Sequence, residues 1–86
     1  MKSVTVYGTD WCPYCVRAEQ LLTHKGIAFE KINIGIDPGK REEMLLKSGG
    51  QRSVPQIFVG EIHIGGFDDL AELDRQGRLD ILLSAH

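Results

Sequence analysis

Two cysteines, Cys12 and Cys15, stand three positions apart and are the only cysteines among the 86 residues. A thiol must lose its proton before it attacks a disulfide or binds a metal, so its surroundings decide its chemistry. The spacing fits a redox centre, half of a zinc site, a haem attachment site or two ordinary core residues. A disulfide between them would close a very short loop and stabilise the fold little. Chemistry therefore explains the pair better than stability does.

Other residues that a metal or haem site would need are missing from the pattern. A zinc site takes four ligands, and His24, His63 and His86 are too far apart to form the usual His-x₃₋₅-His pair. A haem attachment motif needs a histidine directly after the second cysteine, and Val16 occupies that position. A Cys-x-x-Cys motif beside a β-α-β pattern is a redox signature. We therefore predict thiol–disulfide chemistry and no metal.

The elements around the pair give its two sulfurs different roles. Val4–Tyr7 has the β-branched and aromatic content of a strand that ends at Gly8, and Pro13 suits the first turn of a helix. The unpaired N–H groups of that turn can stabilise a thiolate on Cys12. Cys15 would lie nearly one turn further, on the same side and deeper. The sequence predicts that Cys12 attacks a disulfide and that Cys15 resolves the mixed disulfide that results.

The remaining pattern predicts the order β-α-β-α-β-β-α. The predicted first helix runs from Pro13 to a stop at Gly26 and has an apolar stripe of Val16, Ala18, Leu21 and Leu22. The second helix begins at Pro38 and is capped by Asp37. The other predicted segments are a strand within 27–34, strands 56–59 and 62–64, a helix between Gly66 and Gly77, and a final helical turn or two over 78–83. Strands joined through a helix should be parallel, and strands joined by a tight turn antiparallel. We predict an α/β fold in one domain, residues 1–86: a four-stranded mixed sheet with helices on both faces.

Composition restricts the partners. The chain has 12 acidic and 10 basic residues and a net charge of −2, without the basic face of a nucleic-acid-binding protein. No apolar run approaches the roughly 20 residues that span a bilayer, and the N-terminal run is too short for a signal peptide. A reactive dithiol suits the reducing cytosol. We expect a cytoplasmic monomer with no nucleic-acid or membrane partner.

Three segments together resemble the glutaredoxins, the glutathione-dependent branch of the thioredoxin-fold family: Cys12–Cys15, Ser53–Phe58 and Gly65–Leu70. The first is the dithiol glutaredoxin tetrapeptide, where thioredoxins usually have Cys-Gly-Pro-Cys. The resemblance implies a thioredoxin-like fold and a glutathione-dependent enzyme. It would reduce protein disulfides and protein–glutathione mixed disulfides through Cys12 and Cys15. Glutathione would be a co-substrate, with no cofactor tightly bound.

The resemblance also implies a groove for glutathione. Pro55 would be cis and would face the sulfurs, and the Val54 backbone would pair with glutathione as a short strand. The Tyr14 ring would flank the groove. Arg41 would hold the glycyl carboxylate, although its charged neighbours also fit a solvated helix face.

At the other end of this groove, Gly66, Phe67 and Asp68 would open the third helix. Their backbone N–H groups would hold the α-carboxylate of the γ-glutamyl unit, and the Asp68 carboxylate would bind its ammonium group. Ordinary capping of the first helical turn is the alternative role for the acidic pair Asp68 and Asp69.

The segment before the first cysteine departs from the family pattern. Many glutaredoxins carry a lysine three residues before that cysteine, where this chain has Thr9 followed by Asp10. Replacing the cation and adding an acid should weaken support for the thiolate, so we expect Cys12 to depend on the helix N-terminus and on Arg17. Trp11 before the first cysteine is a thioredoxin feature.

Two other functions stay open on sequence alone. One is a thioredoxin-like electron donor reduced by a flavoprotein reductase, which usually lacks Pro-Tyr between the cysteines. The other is a non-enzymatic iron–sulfur carrier, which mostly has one cysteine in a Gly-Phe-Ser centre. Pro13 and the bulky Tyr14 favour the enzyme over both.

Overall fold

The computed structural model describes residues 2–84. Its elements are β1 (Val4–Gly8), α1 (Pro13–His24), β2 (Glu30–Asn33), α2 (Pro38–Lys47), β3 (Gln56–Val59), β4 (Ile62–Gly65), α3 (Phe67–Arg75) and α4 (Arg78–Ser84). The order matches the prediction, with α4 at the expected final turns.

The strands form one sheet in the order β2-β1-β3-β4. β1 and β2 are parallel, whereas β1 with β3 and β3 with β4 are antiparallel. The predicted four-stranded mixed sheet is therefore confirmed. No helix within residues 2–84 has the length and apolar character to cross a membrane.

The sequence signals for the starts of α1 and α2 predict these positions correctly. Pro13 and Pro38 occupy the first turns of α1 and α2, and the Asp37 side chain accepts a hydrogen bond from the Gly39 N–H at 2.9 Å. α1 ends just before Gly26, whose φ of 70° is in the left-handed region that glycine adopts without strain.

The second strand is shorter than predicted, because residues 27–29 lie outside it. The Ile27 N–H donates to the Leu22 carbonyl at 2.9 Å and so closes the end of α1 instead of joining the ladder. The predicted stripe on α1 also included Val16, which is 43% exposed. The buried stripe consists of Cys15, Ala18 and Leu22.

Alternation along the strands buries side chains on both faces of the sheet. The larger core brings α1, α3 and α4 against one face, and its buried members are Val4, Val6, Ala18, Leu22, Ile27, Ile57, Val59, Leu70, Leu79 and Leu83. The smaller core brings α2 against the other face and consists of Tyr7, Ile34, Met44 and Phe58. Helices on both faces, as predicted, hold the strand ends in place.

The strand ends nearest to the two cysteines lie along one edge of the sheet. Gly8 pairs with Asn33, so the carboxyl ends of β1 and β2 lie side by side. The amino end of β3 lies beside β1 at the same edge, followed by the carboxyl end of β4 at Gly65. We call this edge, where β1 leads into Cys12, the cysteine edge.

Candidate active site

Cys12 is the N-cap residue of α1 and is only half-buried. Its Sγ accepts a hydrogen bond from the Cys15 backbone N–H at 3.4 Å. As a thiol it also donates to the Val54 carbonyl at 3.5 Å. The first turn of a helix has unpaired N–H groups with partial positive charge. The predicted position of this sulfur on a helix N-terminus is therefore observed.

Cys15 lies in the opposite environment, because it is 0% exposed. A Cβ added at Gly8 would lie 2.7 Å from the Cys15 Sγ, so the sulfur packs directly against the backbone of β1. Burial raises the pKa of the Cys15 thiol to about 12, and the nearby Cys12 adds to this, while a hydrogen bond from the Thr9 backbone acts the other way. Cys15 therefore keeps its proton at neutral pH.

A recess of about 200 Å³ opens on the β3–β4 side of the cysteine edge. Its lining includes six residues predicted for the site, namely Tyr14, Val54, Pro55, Gly66, Phe67 and Asp68. It also includes Gln51, Ser53, Gln56 and Asp69, which the sequence reasoning did not select. We call this recess the groove. The Val54–Pro55 peptide bond is cis, as the resemblance implied.

The far end of the groove is the start of α3. The Gly66 N–H donates to the Asp69 carboxylate at 3.0 Å, so Asp69 caps this helix. The capping role foreseen for the acidic pair thus belongs to Asp69, and the Gly66 N–H is already engaged. Phe67 and Asp68 begin the helix, so their N–H groups lack intrahelical acceptors. The Asp68 side chain is exposed at the groove.

Known proteins resemble the chain over almost all of its length. The family model described as glutaredoxin matches residues 4–64. The chain belongs to the glutaredoxin family. It is 52% identical over 85 residues to a glutaredoxin of Pseudomonas aeruginosa, covering 99% of this chain and 100% of that protein. It is 49% identical over 83 residues to glutaredoxin 3 of Escherichia coli strain K12, covering 96% and 99%.

Solved structures give the same result. A crystal structure of a buckwheat glutaredoxin–glutathione complex has a TM-score of 0.86 at 30% identity, covering 96% of this chain and 77% of that one. A solution structure of glutaredoxin from Brucella melitensis has a TM-score of 0.82 at 46% identity, covering 96% and 89%. Glutaredoxins are glutathione-dependent thiol–disulfide oxidoreductases, and this is the activity of the chain.

Two arginines of this glutaredoxin lie elsewhere than expected. Arg41 is exposed near the start of α2 and is not among the residues that line the groove. The Arg17 guanidinium lies over the Tyr14 ring, 5.3 Å from its centroid, and has no contact with Cys12 among those described for residues 2–84. Arg17 thus contacts the ring face by a cation–π interaction, and its support of the Cys12 thiolate stays a prediction.

Asp10, the acid beside the reactive cysteine, is countered by a cation from the neighbouring strand. Lys31 Nζ lies 2.9 Å from one Asp10 oxygen, and the Asn33 amide donates to the other at 2.9 Å. The hydrogen bond from Lys31 lowers the pKa of the Asp10 carboxyl. Lys31 also lies 3.5 Å from the Glu19 carboxylate on α1, an ion pair without hydrogen-bond geometry. The charge added beside Cys12 is therefore paired with a cation that also lies near Glu19.

Gln56 links the groove residue Ser53 to the neighbouring strand β4 through hydrogen bonds of its side-chain amide. Its buried amide donates to the Ser53 carbonyl at 2.9 Å and to the Ser53 hydroxyl at 3.2 Å. Its oxygen lies 2.7 Å from the His63 Nε2, and the His63 ring stacks on Phe58 with centroids 4.9 Å apart. A buried amide needs such partners. The signal in the sequence was a polar residue at the start of an otherwise apolar strand.

Proposed function

We propose that Cys12 and Cys15 divide the reduction of two classes of substrate, protein–glutathione mixed disulfides and protein disulfides. The observation that carries this proposal is the contrast between the two sulfurs. Cys12 is accessible on a helix N-terminus, whereas Cys15 is fully buried with a pKa raised to about 12. Only one sulfur is therefore presented to a substrate at neutral pH.

With a glutathionylated protein, Cys12 alone completes the reaction. Its thiolate attacks the glutathione sulfur, a bond forms between those two sulfurs, and the protein leaves as a thiolate that takes a proton from water. The thiolate of a second glutathione then attacks the glutathione sulfur held on Cys12. Oxidised glutathione leaves, and the Cys12 thiolate is restored.

With a protein disulfide, Cys15 is also required. Cys12 attacks one protein sulfur and releases the other as a thiolate. Cys15 then gives its proton to water and its thiolate attacks the Cys12 sulfur, which releases the protein as a thiolate and leaves a Cys12–Cys15 disulfide. Two glutathione molecules reduce that disulfide and leave as one molecule of oxidised glutathione. The three-residue spacing at the start of α1 keeps the two residues within one helical turn, and the Cys15 N–H donates to the Cys12 sulfur.

The groove supplies the contacts that glutathione requires. The Val54 carbonyl faces the reactive sulfur, so its backbone can pair with the peptide part of glutathione. The N–H groups of Phe67 and Asp68 at the start of α3 suit the γ-glutamyl carboxylate, and the exposed Asp68 carboxylate suits the neighbouring ammonium group. The Tyr14 ring, 6.4 Å from the Phe67 ring, flanks these contacts.

Arg41 enters this proposal with a narrower role. It lies outside the groove, so it would reach the glycyl carboxylate only by extending its long side chain. We further propose a single-domain, cytoplasmic monomer that uses glutathione as its reductant and holds no cofactor tightly. The acidic net charge of −2 supports the expectation that nucleic acid is not a partner.

A coupled assay tests the function directly. Glutathione, glutathione reductase and NADPH are mixed with cysteine–glutathione disulfide, and NADPH oxidation is followed. We expect turnover that depends on glutathione, and a loss of about a thousandfold or more in Cys12→Ser, which removes the nucleophile. Turnover supported equally well by a thioredoxin-type flavoprotein reductase without glutathione, or full activity of Cys12→Ser, would contradict the proposal.

A further inference from the structure

The cysteine edge has two halves, and the groove uses only one. In the sheet order β2-β1-β3-β4, the groove residues other than Tyr14 lie before β3, at its first residue or after β4, and Cys12 follows β1. The other half consists of the loops that follow β1 and β2. A disulfide substrate also has two halves. When glutathione occupies the groove, the β1–β2 half is left for the other partner of the mixed disulfide.

This second half presents two large apolar side chains. Trp11, immediately before Cys12, is 90% exposed, and Ile36 in the loop after β2 is 78% exposed. Single apolar residues on a surface are common. Here two of them lie on adjacent loops at the same edge, next to the residue that performs the chemistry. Because the substrate disulfide reacts at Cys12, side chains beside this residue can contact the substrate, which an isolated apolar residue elsewhere on the surface cannot do.

The two loops are held to each other by side-chain contacts. The Asn33 amide nitrogen donates to Asp10 at 2.9 Å, and its oxygen accepts from the Gly35 N–H at 2.8 Å. A Cβ added at Gly35 would lie 3.7 Å from the Thr9 methyl, so the Thr9 side chain lies beside the backbone of the second loop. Trp11 and Ile36 are each one residue beyond these contacts. The backbone that precedes each of them is therefore held by these contacts.

The carboxylate beside Trp11 is paired with a cation, and the Asp37 carboxylate beside Ile36 accepts a hydrogen bond from the Gly39 N–H. Asp10 precedes Trp11, and its carboxylate is paired with Lys31 at 2.9 Å. An apolar side chain that docks on the indole would therefore not face an unpaired carboxylate at that point. Glutathione itself has no large apolar group that would use such a surface. The chemistry fits a polypeptide rather than a second small thiol.

We propose that Trp11 and Ile36 form a docking surface for the polypeptide half of the substrate disulfide. The ligand is an extended segment that carries a large aliphatic or aromatic residue next to the cysteine under attack. This inference rests on the proposed function, because it needs Cys12 as the nucleophile and glutathione in the groove. The surface sets a preference among protein substrates and adds nothing to reduction of small disulfides.

Matched glutathionylated peptides test the surface. Two peptides differ only in the residue beside the glutathionylated cysteine, which is Leu in one and Ser in the other, and cysteine–glutathione disulfide serves as the small substrate. We expect the wild-type kcat/KM to be about tenfold higher for the Leu peptide, as partial burial of one aliphatic side chain implies. In Trp11→Ser/Ile36→Ser this ratio should fall to about one to two.

Leu46→Ser is the matched control, because Leu46 is 84% exposed on α2 but lies away from the cysteine edge. It should retain the wild-type ratio. Equal rates for the two peptides in the wild-type protein, or an unchanged ratio in the double variant, would overturn the docking surface. So would equal losses on the peptides and on cysteine–glutathione disulfide, because Trp11 and Ile36 would then act on Cys12 or on folding.

A direct readout separates this inference from the proposed function. Trp11 is the only tryptophan in the sequence, so its fluorescence reports on this surface alone. Each peptide is linked to Cys12 through a disulfide in the Cys15→Ser protein, and we expect a blue shift of the emission with the Leu peptide only. Failure of glutathione turnover would refute the proposed function, whereas the absence of this shift would refute the surface. A blue shift that grows with protein concentration without peptide would assign the surface to a second copy of the chain instead.

Discussion

Cys12 and Cys15 are one helical turn apart and chemically identical, yet the protein places them in opposite environments. Cys12 caps a helix, is half-buried and has the Cys15 N–H on its sulfur. Cys15 is 0% exposed and lies against the backbone at Gly8. The comparison shows that the division of labour in a dithiol centre comes from position relative to the helix end and the sheet. Residue type alone does not provide it.

The strongest test of this contrast is Cys15→Ser. Glutathione-dependent reduction of a glutathionylated protein should stay within about twofold of wild type, because Cys12 performs it alone. Reduction of a protein disulfide through the dithiol route should fall by about a hundredfold, because no second sulfur resolves the mixed disulfide. Both rates are measured with the same coupled assay. Loss of both activities would mean that the two sulfurs are not separable in this way.

A steric change at Gly8 should disturb Cys15 and spare the environment of Cys12. An alanine Cβ at this position would lie 2.7 Å from the Cys15 Sγ, well inside van der Waals contact. We expect Gly8→Ala to lower the free energy of unfolding of the reduced protein by about 1–3 kcal/mol, as overpacking generally does. Urea denaturation measures it.

The control for that prediction is the same change in a protein without the sulfur. In a Cys15→Ala background the penalty of Gly8→Ala should shrink by at least about half, because the closest atom has been removed. An undiminished penalty would show that the cost comes from β1 itself and not from the packing of the resolving thiol.

The effect confined to the narrowest range of conditions is a dependence of stability on alkaline pH. The pKa of Cys15 is raised to about 12 in the folded protein, above the value of about 8.5 in an unfolded chain. The protonated thiol therefore favours the folded state. Its contribution is complete below pH 8.5 and is lost as the pH rises toward 12. Between about pH 9 and 12 the reduced wild-type protein should lose roughly 1.4 kcal/mol per pH unit more than Cys15→Ser.

The difference in stability between the wild-type protein and Cys15→Ser isolates the contribution of the Cys15 thiol. Burial and the hydrogen bond to Glu43 also raise the pKa of Tyr7, so both proteins should become less stable at high pH for that second reason. Urea denaturation at several pH values under reducing conditions gives the difference. Identical pH profiles would show that Cys15 is not held as a buried neutral thiol.

Features that depend on neighbouring residues could be predicted from the sequence. Pro13 and Asp37 placed two helix starts, because proline geometry and a capping carboxylate act within one turn. The burial of Cys15 followed from its position three residues into α1. The groove segments were available through the glutaredoxin resemblance, and the lining residues match most of that set.

Features that depend on long-range pairing could not be predicted. Lys31 reaches Asp10 because the parallel register sets Val6 opposite Lys31 and Gly8 opposite Asn33, which the sequence pattern does not specify. The same holds for the amide of Gln56, which needs His63 from the neighbouring strand. Alternation predicts a strand over residues 27–29, because it does not reveal that Ile27 closes the end of a helix.

The pairing of Lys31 with Asp10 has a consequence for protein engineering. The cation that counters the acid beside Cys12 comes from β2 and is absent from the loop that carries the two cysteines. Grafting the segment from Thr9 to Cys15 onto another scaffold would transfer the acid and leave its counter-charge behind. A transplant that keeps the electrostatics of this centre must therefore carry part of the adjacent strand as well as the motif.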